Sequence, residues 1–153
     1  MYEVIFLGTG AAVPTRFRNH SSTAVVWNGE IFLFDCGEAT QIQFQRARLR
    51  PGRIRHIMIS HFHGDHVFGL PGLLTSLQMA GCTQKIDIFG PPGLQEYVDF
   101  HQRTFRFTLS FPLEMHEADP KNDGVQWTFA GYEIRARNIE HRVPCLGWAV
   151  VEN

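Results

Sequence analysis

The chain has 153 residues, of which 44% are hydrophobic, and a formal net charge of −1. That length holds at most one ordinary domain, with apolar residues enough for a core. The near-neutral balance excludes a globally basic nucleic-acid binder but leaves room for a local basic face.

Residues 3–7 are apolar with a weak alternation and end at Gly8-Thr9-Gly10, which predicts a strand running into a turn. Residues 11–22 read as a polar loop containing Pro14, Arg16, Arg18 and Asn19. Residues 23–27 and 30–35 are strands around Asn28-Gly29, a tight-hairpin signal. A helix is predicted over 38–48, stopped by Pro51-Gly52. A strand over 54–59 follows. Leu70, Leu73, Leu74 and Leu77 at helical spacing predict a second helix over 69–80, with Pro71 in its first turn and Gly81 ending it. A strand over 86–90 leads through Pro91-Pro92-Gly93 into a third helix reaching about residue 103. The rest is strand-rich: about 111–115, 125–129, 132–138 and 145–151, with turns at Asp123-Gly124 and Ala130-Gly131. The order predicts a mixed α/β (α+β) fold, one sheet with helices packed on one face. The other face needs a cover that this pattern does not obviously supply.

The three cysteines, Cys36, Cys82 and Cys145, form no Cys-x-x-Cys unit, so neither a disulfide framework nor a thiolate zinc site is indicated. That usage fits a reducing, cytoplasmic setting. The N-terminus lacks the basic start of a signal peptide. No apolar run approaches the ~20 residues a membrane span needs.

The chemistry concentrates in Ser60-His61-Phe62-His63-Gly64-Asp65-His66, directly after the apolar Ile57-Met58-Ile59. Imidazole nitrogens and carboxylate oxygens are the donors of open, catalytic zinc sites, and a strand followed by a sharp turn lets these side chains converge. Manganese, iron or cobalt also suit such donors. Asp35, at the end of an apolar strand, reads either as the acceptor that orients a ligand histidine or as the N-cap of the following helix. Twelve of the fourteen basic residues are arginine. Arg16 and Arg18 sit in the loop after the first strand and are candidates for phosphate contact. Arg46, Arg48, Arg50, Arg53 and Arg55 crowd a stretch where a helix C-terminus already favours cations. His20, His56, His101 and His116 show no ligand-type grouping.

The His-x-His-x-Asp-His motif resembles that of the metallo-β-lactamase superfamily. Other segments sharpen the likeness to the ribonuclease Z family: Phe6-Leu7-Gly8-Thr9-Gly10 with Arg18-Asn19; Phe34-Asp35-Cys36-Gly37-Glu38; Phe68-Gly69-Leu70-Pro71-Gly72-Leu73; Gly90-Pro91-Pro92-Gly93-Leu94; and His141 with Pro144 and Gly147. The resemblance implies half of an αβ/βα sandwich whose mixed sheet carries helices on one face. It implies zinc, two ions per complete site, activating water for cleavage at the 3′ end of precursor tRNA. His61, His63 and His141 match ligands of the first zinc. Asp65 and His66 match ligands of the second, and Asp65 also matches a proton acceptor. The family's tRNA-gripping arm, bridging aspartate and last histidine find no counterpart before Asn153. Residues 1–153 therefore read as the N-terminal half of such a domain, with the C-terminal half absent. Association with another chain, as a homodimer or another self-association, is expected to cover the open sheet face. Alternatives are another phosphodiesterase of the same branch, or a metal- or RNA-binding assembly module without turnover.

Overall fold

A computed structural model describes residues 1–122 and 124–153. Six strands form one sheet in the order β1 to β6: Tyr2–Gly8, Ser22–Trp27, Glu30–Phe34, Ile54–Met58, Ile86–Gly90 and Leu113–Glu117. The first three pair antiparallel and β3 to β6 run parallel. At the β2–β3 turn Asn28 and Gly29 both take positive φ, 49° and 79°. That matches the right-handed twist of a two-residue hairpin. The parallel part needs crossovers, and the helices supply them. These are α1 (Thr40–Arg46), α2 (Gly64–Val67), α3 (Leu70–Met79) and α4 (Leu94–Phe105), with a 3₁₀ turn at Pro51–Arg53.

The helices cover one face. Leu70, Leu73, Leu74 and Leu77 of α3 bury their apolar stripe in one cluster with Leu33, Ile57, Ile86 and Ile88. Each such side chain contributes about 1.5–3 kcal/mol on burial. Alternate residues point the other way, and there the sequence expectation is corrected. A second, antiparallel sheet of β7 (Val125–Phe129), β8 (Tyr132–Asn138) and β9 (Leu146–Glu152) packs on that face. Phe32, Met58 and Phe89 are fully buried between the sheets, against Tyr132, Ile134, Trp127 and Trp148. Central strands buried on both faces read as unbroken apolar runs, which is why alternation did not reveal this layer. The cover is incomplete over β1, where Val4 and Phe6 remain 55% and 71% exposed.

The other differences are small. The strand expected at 111–115 lies at Leu113–Glu117, and α1 is shorter than 38–48. The short helix α2 was not anticipated. The turn at Asp123-Gly124 falls partly on Asp123, outside the described residues.

Candidate metal centre

The β4 strand ends at Met58, and Ile59 N–H still bonds Phe89 O at 2.8 Å, so the chain enters the histidine motif rigidly held. Gly64 begins α2, and this turn carries Asp65 and His66 back over His61. Backbone bonds clamp the β3–α1 loop onto the motif: Cys36 N–H to His66 O at 2.8 Å and Gly69 N–H to Cys36 O at 2.9 Å. The approach is so close that a Cβ on Gly69 would sit 1.9 Å from Gly37 O, and one on Gly37 2.5 Å from Asp65 O.

His141 arrives from the β8–β9 connection. Leu146 N–H bonds Ser60 O at 2.9 Å and Trp148 Nε1–H bonds Ile59 O at 3.1 Å, so β9 docks on the motif itself. His61 Nε2 lies 3.1 Å from His63 Nδ1, and His141 Nε2 lies 3.4 Å from the same atom. Three ring nitrogens thus converge within 4.8 Å of one another. Ligand atoms on a tetrahedral zinc, at Zn–N of ~2.0–2.1 Å, stand about 3.3 Å apart, so this donor set fits zinc. His61 keeps its other nitrogen on Ser60 Oγ at 2.9 Å, which fixes the ring. Burial first, and then the neighbouring imidazoles, push His61 down to about 4. It is therefore neutral at pH 7, with a lone pair free for a cation.

Asp65 and His66 lie beside this triad. His66 Nε2 is 3.6 Å from Asp65 Oδ2. Asp65 Oδ2 accepts the Ala12 N–H at 2.8 Å, so the β1–β2 loop reaches the centre. Burial works to raise the Asp65 carboxyl, but the Ala12 N–H and the His66 charge outweigh it and hold it below its ordinary value. For His66, burial opposes protonation and is outweighed by the Asp35 carboxylate, so its pKa is raised.

Asp35 does not cap the following helix, where Ala39 is the N-cap and no side chain caps. Its Oδ2 lies 2.6 Å from His66 Nδ1, and its Oδ1 accepts Ser60 N–H and Ser60 Oγ–H, both at 2.8 Å. A φ of 57° aims the carboxylate inward. Asp is among the residues that tolerate that left-handed geometry.

Arg16 and Arg18 do not touch the triad. With Thr9, Thr15, Gln43 and Arg46 they line a separate cleft of about 310 Å³. Arg53 and Arg55 are engaged locally, with Gly29 O at 3.1 Å and Glu30 at 2.8 Å. Sequence reading missed two things. His116 does group with acidic residues, Asp87 and Glu114, across adjacent strands. His20 and His56 are buried histidines, 5% and 3% exposed. Strand pairing brings Asp87 beside Glu114 and His116, and no spacing along the chain carries that contact.

The mixed sheet with its second layer and the histidines at the strand ends define the metallo-β-lactamase fold. The metallo-beta-lactamase fold protein YhfI from Bacillus subtilis shares it, with TM-score 0.75 and 17% identity over 98% of this chain and 57% of that one. The chain belongs to the family described as "Anti-Pycsar protein Apyc1", whose pattern matches residues 2–110. It also resembles ribonuclease Z over its whole length. It is 43% identical over 152 residues to ribonuclease Z of Acaryochloris marina (strain MBIC 11017), covering 98% of this chain and 48% of that protein. The crystal structure of human tRNase Z, short form, superposes with TM-score 0.91 at 36% identity, covering 99% of this chain and 65% of that one. The chain spans about half the length of the curated relatives it matches.

Proposed function

We propose that the chain supplies the metal-binding N-terminal half of a tRNA 3′-processing endoribonuclease of the ribonuclease Z type. The observation that carries this is the convergence of His61 Nε2, His63 Nδ1 and His141 Nε2 within 4.8 Å, beside the Asp65–His66 pair. Ribonuclease Z relatives at this level of identity support it.

Residues His61, His63 and His141 would hold a first zinc, and Asp65 with His66 would provide part of a second position. Bound metal would lower the pKa of water and offset charge on the phosphoryl oxygens. This chain's own groups do the rest. Asp35 and Ser60 hold the imidazoles in their tautomers, and Asp65 stands ready to accept a proton. Arg16 and Arg18, with Arg46, offer positive charge to a phosphate of a precursor tRNA in the cleft they line apart from the triad. Manganese suits the Asp65–His66 position chemically as well.

The open face over β1, with Val4 and Phe6 exposed beside the free edge of β9, is where a homodimer or another chain would complete the second sheet. Sedimentation equilibrium reads this directly; a monomer throughout the micromolar range sinks it. Three free, buried cysteines fit a cytoplasmic setting. Among the described residues no helix is long and apolar enough to cross a membrane.

Zinc-loaded protein incubated with precursor tRNA tests the activity. Cleavage 3′ of the acceptor stem, lost in His61→Ala and His63→Ala together with bound zinc, is the expected outcome. Cleavage of small phosphodiesters with tRNA untouched selects the other phosphodiesterase reading. RNA or zinc binding without any turnover selects an assembly module.

A further inference from the structure

A second cluster of donors lies on the side of β5 and β6 that faces the second sheet, with Asp87 buried, His116 half-buried and Glu114 exposed at its rim. Asp87 of β5 and Glu114 and His116 of β6 bring one ligand atom each within 4.8 Å of the others. His116 Nε2 is 2.9 Å from Asp87 Oδ1 and 3.8 Å from Glu114 Oε1. The ring of His116 is stacked on Phe89, centroids 4.5 Å apart and planes 15° from parallel, so its direction is set by the core.

A buried, unsatisfied atom points to the same place. His56 is 3% exposed, and its Nδ1 has no hydrogen-bond partner. That nitrogen stands 3.8 Å from Asp87 Oδ2, beyond hydrogen-bonding range. The other ring nitrogen, Nε2, is 2.6 Å from Tyr132 Oη. If His56 donates from Nε2 to the phenol oxygen, Nδ1 presents a bare lone pair toward the cluster. Histidines that ligate metals are held in this way, with the non-ligating N–H anchored to a fixed oxygen. Burial pushes His56 down to about 4, with Asp87 pulling the other way, so the ring is neutral at pH 7. An orphaned imidazole nitrogen at this depth is destabilising unless a partner relieves it.

We infer that Asp87, Glu114, His116 and His56 form an inter-sheet site for a divalent transition ion, with zinc the best match to two imidazoles and two carboxylates. Lys85 is the competitor. Its Nζ lies 3.0 Å from Asp87 Oδ1 and also pairs with Glu114, and its side chain is 49% exposed. Without metal the ammonium neutralises the two carboxylates. With metal it swings into solvent on its flexible stem. The ion would then tie β4, β5 and β6 together next to the second sheet, away from the proposed catalytic centre, so the site stands or falls independently of the tRNA-processing reading.

Cobalt(II) is the probe, because its visible absorption reports low-coordinate nitrogen and oxygen sites. The intact chain is titrated beside His116→Ala and Lys85→Ala, with bound metal counted by elemental analysis. His116→Ala is expected to bind one equivalent fewer than the unmodified protein. Lys85→Ala is expected to hold that equivalent about fivefold tighter, from the loss of two half-exposed ion pairs. Equal stoichiometry in the unmodified protein and a folded His116→Ala overturns the inference. Should His116→Ala fail to fold, Lys85→Ala decides: unchanged affinity overturns the site, and tightening supports it.

Discussion

Asp35→Asn isolates the role of the carboxylate under His66 without changing its shape. Asp35 Oδ1 takes two donors from Ser60 at 2.8 Å, one of them a backbone N–H that has no alternative acceptor. The amide oxygen of Asn must therefore occupy the Oδ1 position. Its NH₂ then faces His66 Nδ1, where the carboxylate Oδ2 now stands at 2.6 Å. A donor opposite Nδ1 forces that nitrogen to accept, and the ring proton moves to Nε2. Nε2 is the atom 3.6 Å from Asp65 Oδ2, where a second metal would bind, and a protonated nitrogen cannot ligate. A charge-assisted hydrogen bond is exchanged for a neutral one, a loss of about 1–1.5 kcal/mol in stability. Metal affinity at the Asp65–His66 position should fall about 10–100-fold, as for other groups that orient a ligand histidine. The first position, built from His61, His63 and His141, should change much less. Long-range ¹H–¹⁵N spectra of the imidazoles read the tautomer directly, and competition against a chromophoric chelator reads the affinity. Finding His66 with its proton still on Nδ1 in a folded Asp35→Asn protein would refute the reasoning, whatever the metal did.

Four further outcomes are expected. Gly69→Ala forces a Cβ to within 1.9 Å of Gly37 O, a backbone atom that cannot step aside, so the β3–α1 loop must part from the start of α3. A loss of 3 kcal/mol or more, about the size of a severe steric defect, should appear in urea unfolding, and a midpoint equal to that of the unmodified chain contradicts the packing described. Phe89→Ala removes a fully buried ring from between the sheets and should cost about 3–5 kcal/mol; a loss under about 1 kcal/mol in the same assay would mean the second sheet does not pack there. Arg16→Ala should weaken RNA binding and reduce the slope of log affinity against log salt by about one, with metal content unchanged, whereas an unaltered slope removes Arg16 from the phosphate contacts. In chelator-treated protein, the unfolded chain protonates His56 near its ordinary 6.5 while the folded one resists until about 4. Stability should therefore fall as pH drops through that window, by about 3 kcal/mol at its lower end. His56→Gln should show a smaller drop, and an identical pH profile in the two proteins counts against the burial argument.

Local chemistry made much of this protein legible from its residues. The hairpin at Asn28-Gly29 follows from the positive φ that only a few residues accept, and the leucines of α3 follow from helical spacing. The histidine motif is legible because all its donors but one lie within one strand end and one turn, so sequence neighbours are also neighbours in space. What residue order could not decide depends on pairing between distant segments. The second sheet was invisible as a layer because β7 to β9 could have extended the first sheet equally well; the face-to-face burial of Phe89, Tyr132 and Trp148 selects the stacked arrangement. His141 becomes a neighbour of His63 through the docking of β9 on Ile59 and Ser60, 78 residues away in the chain. A single left-handed residue after β3 carries the Asp35 carboxylate to Ser60 and His66 and away from the start of α1. Strand register likewise placed His116 beside Asp87 and left His56 Nδ1 without a partner between the sheets. Spacing along a chain encodes contacts a few residues apart, whereas these contacts exist only once burial of both sheet faces has fixed which strands lie side by side.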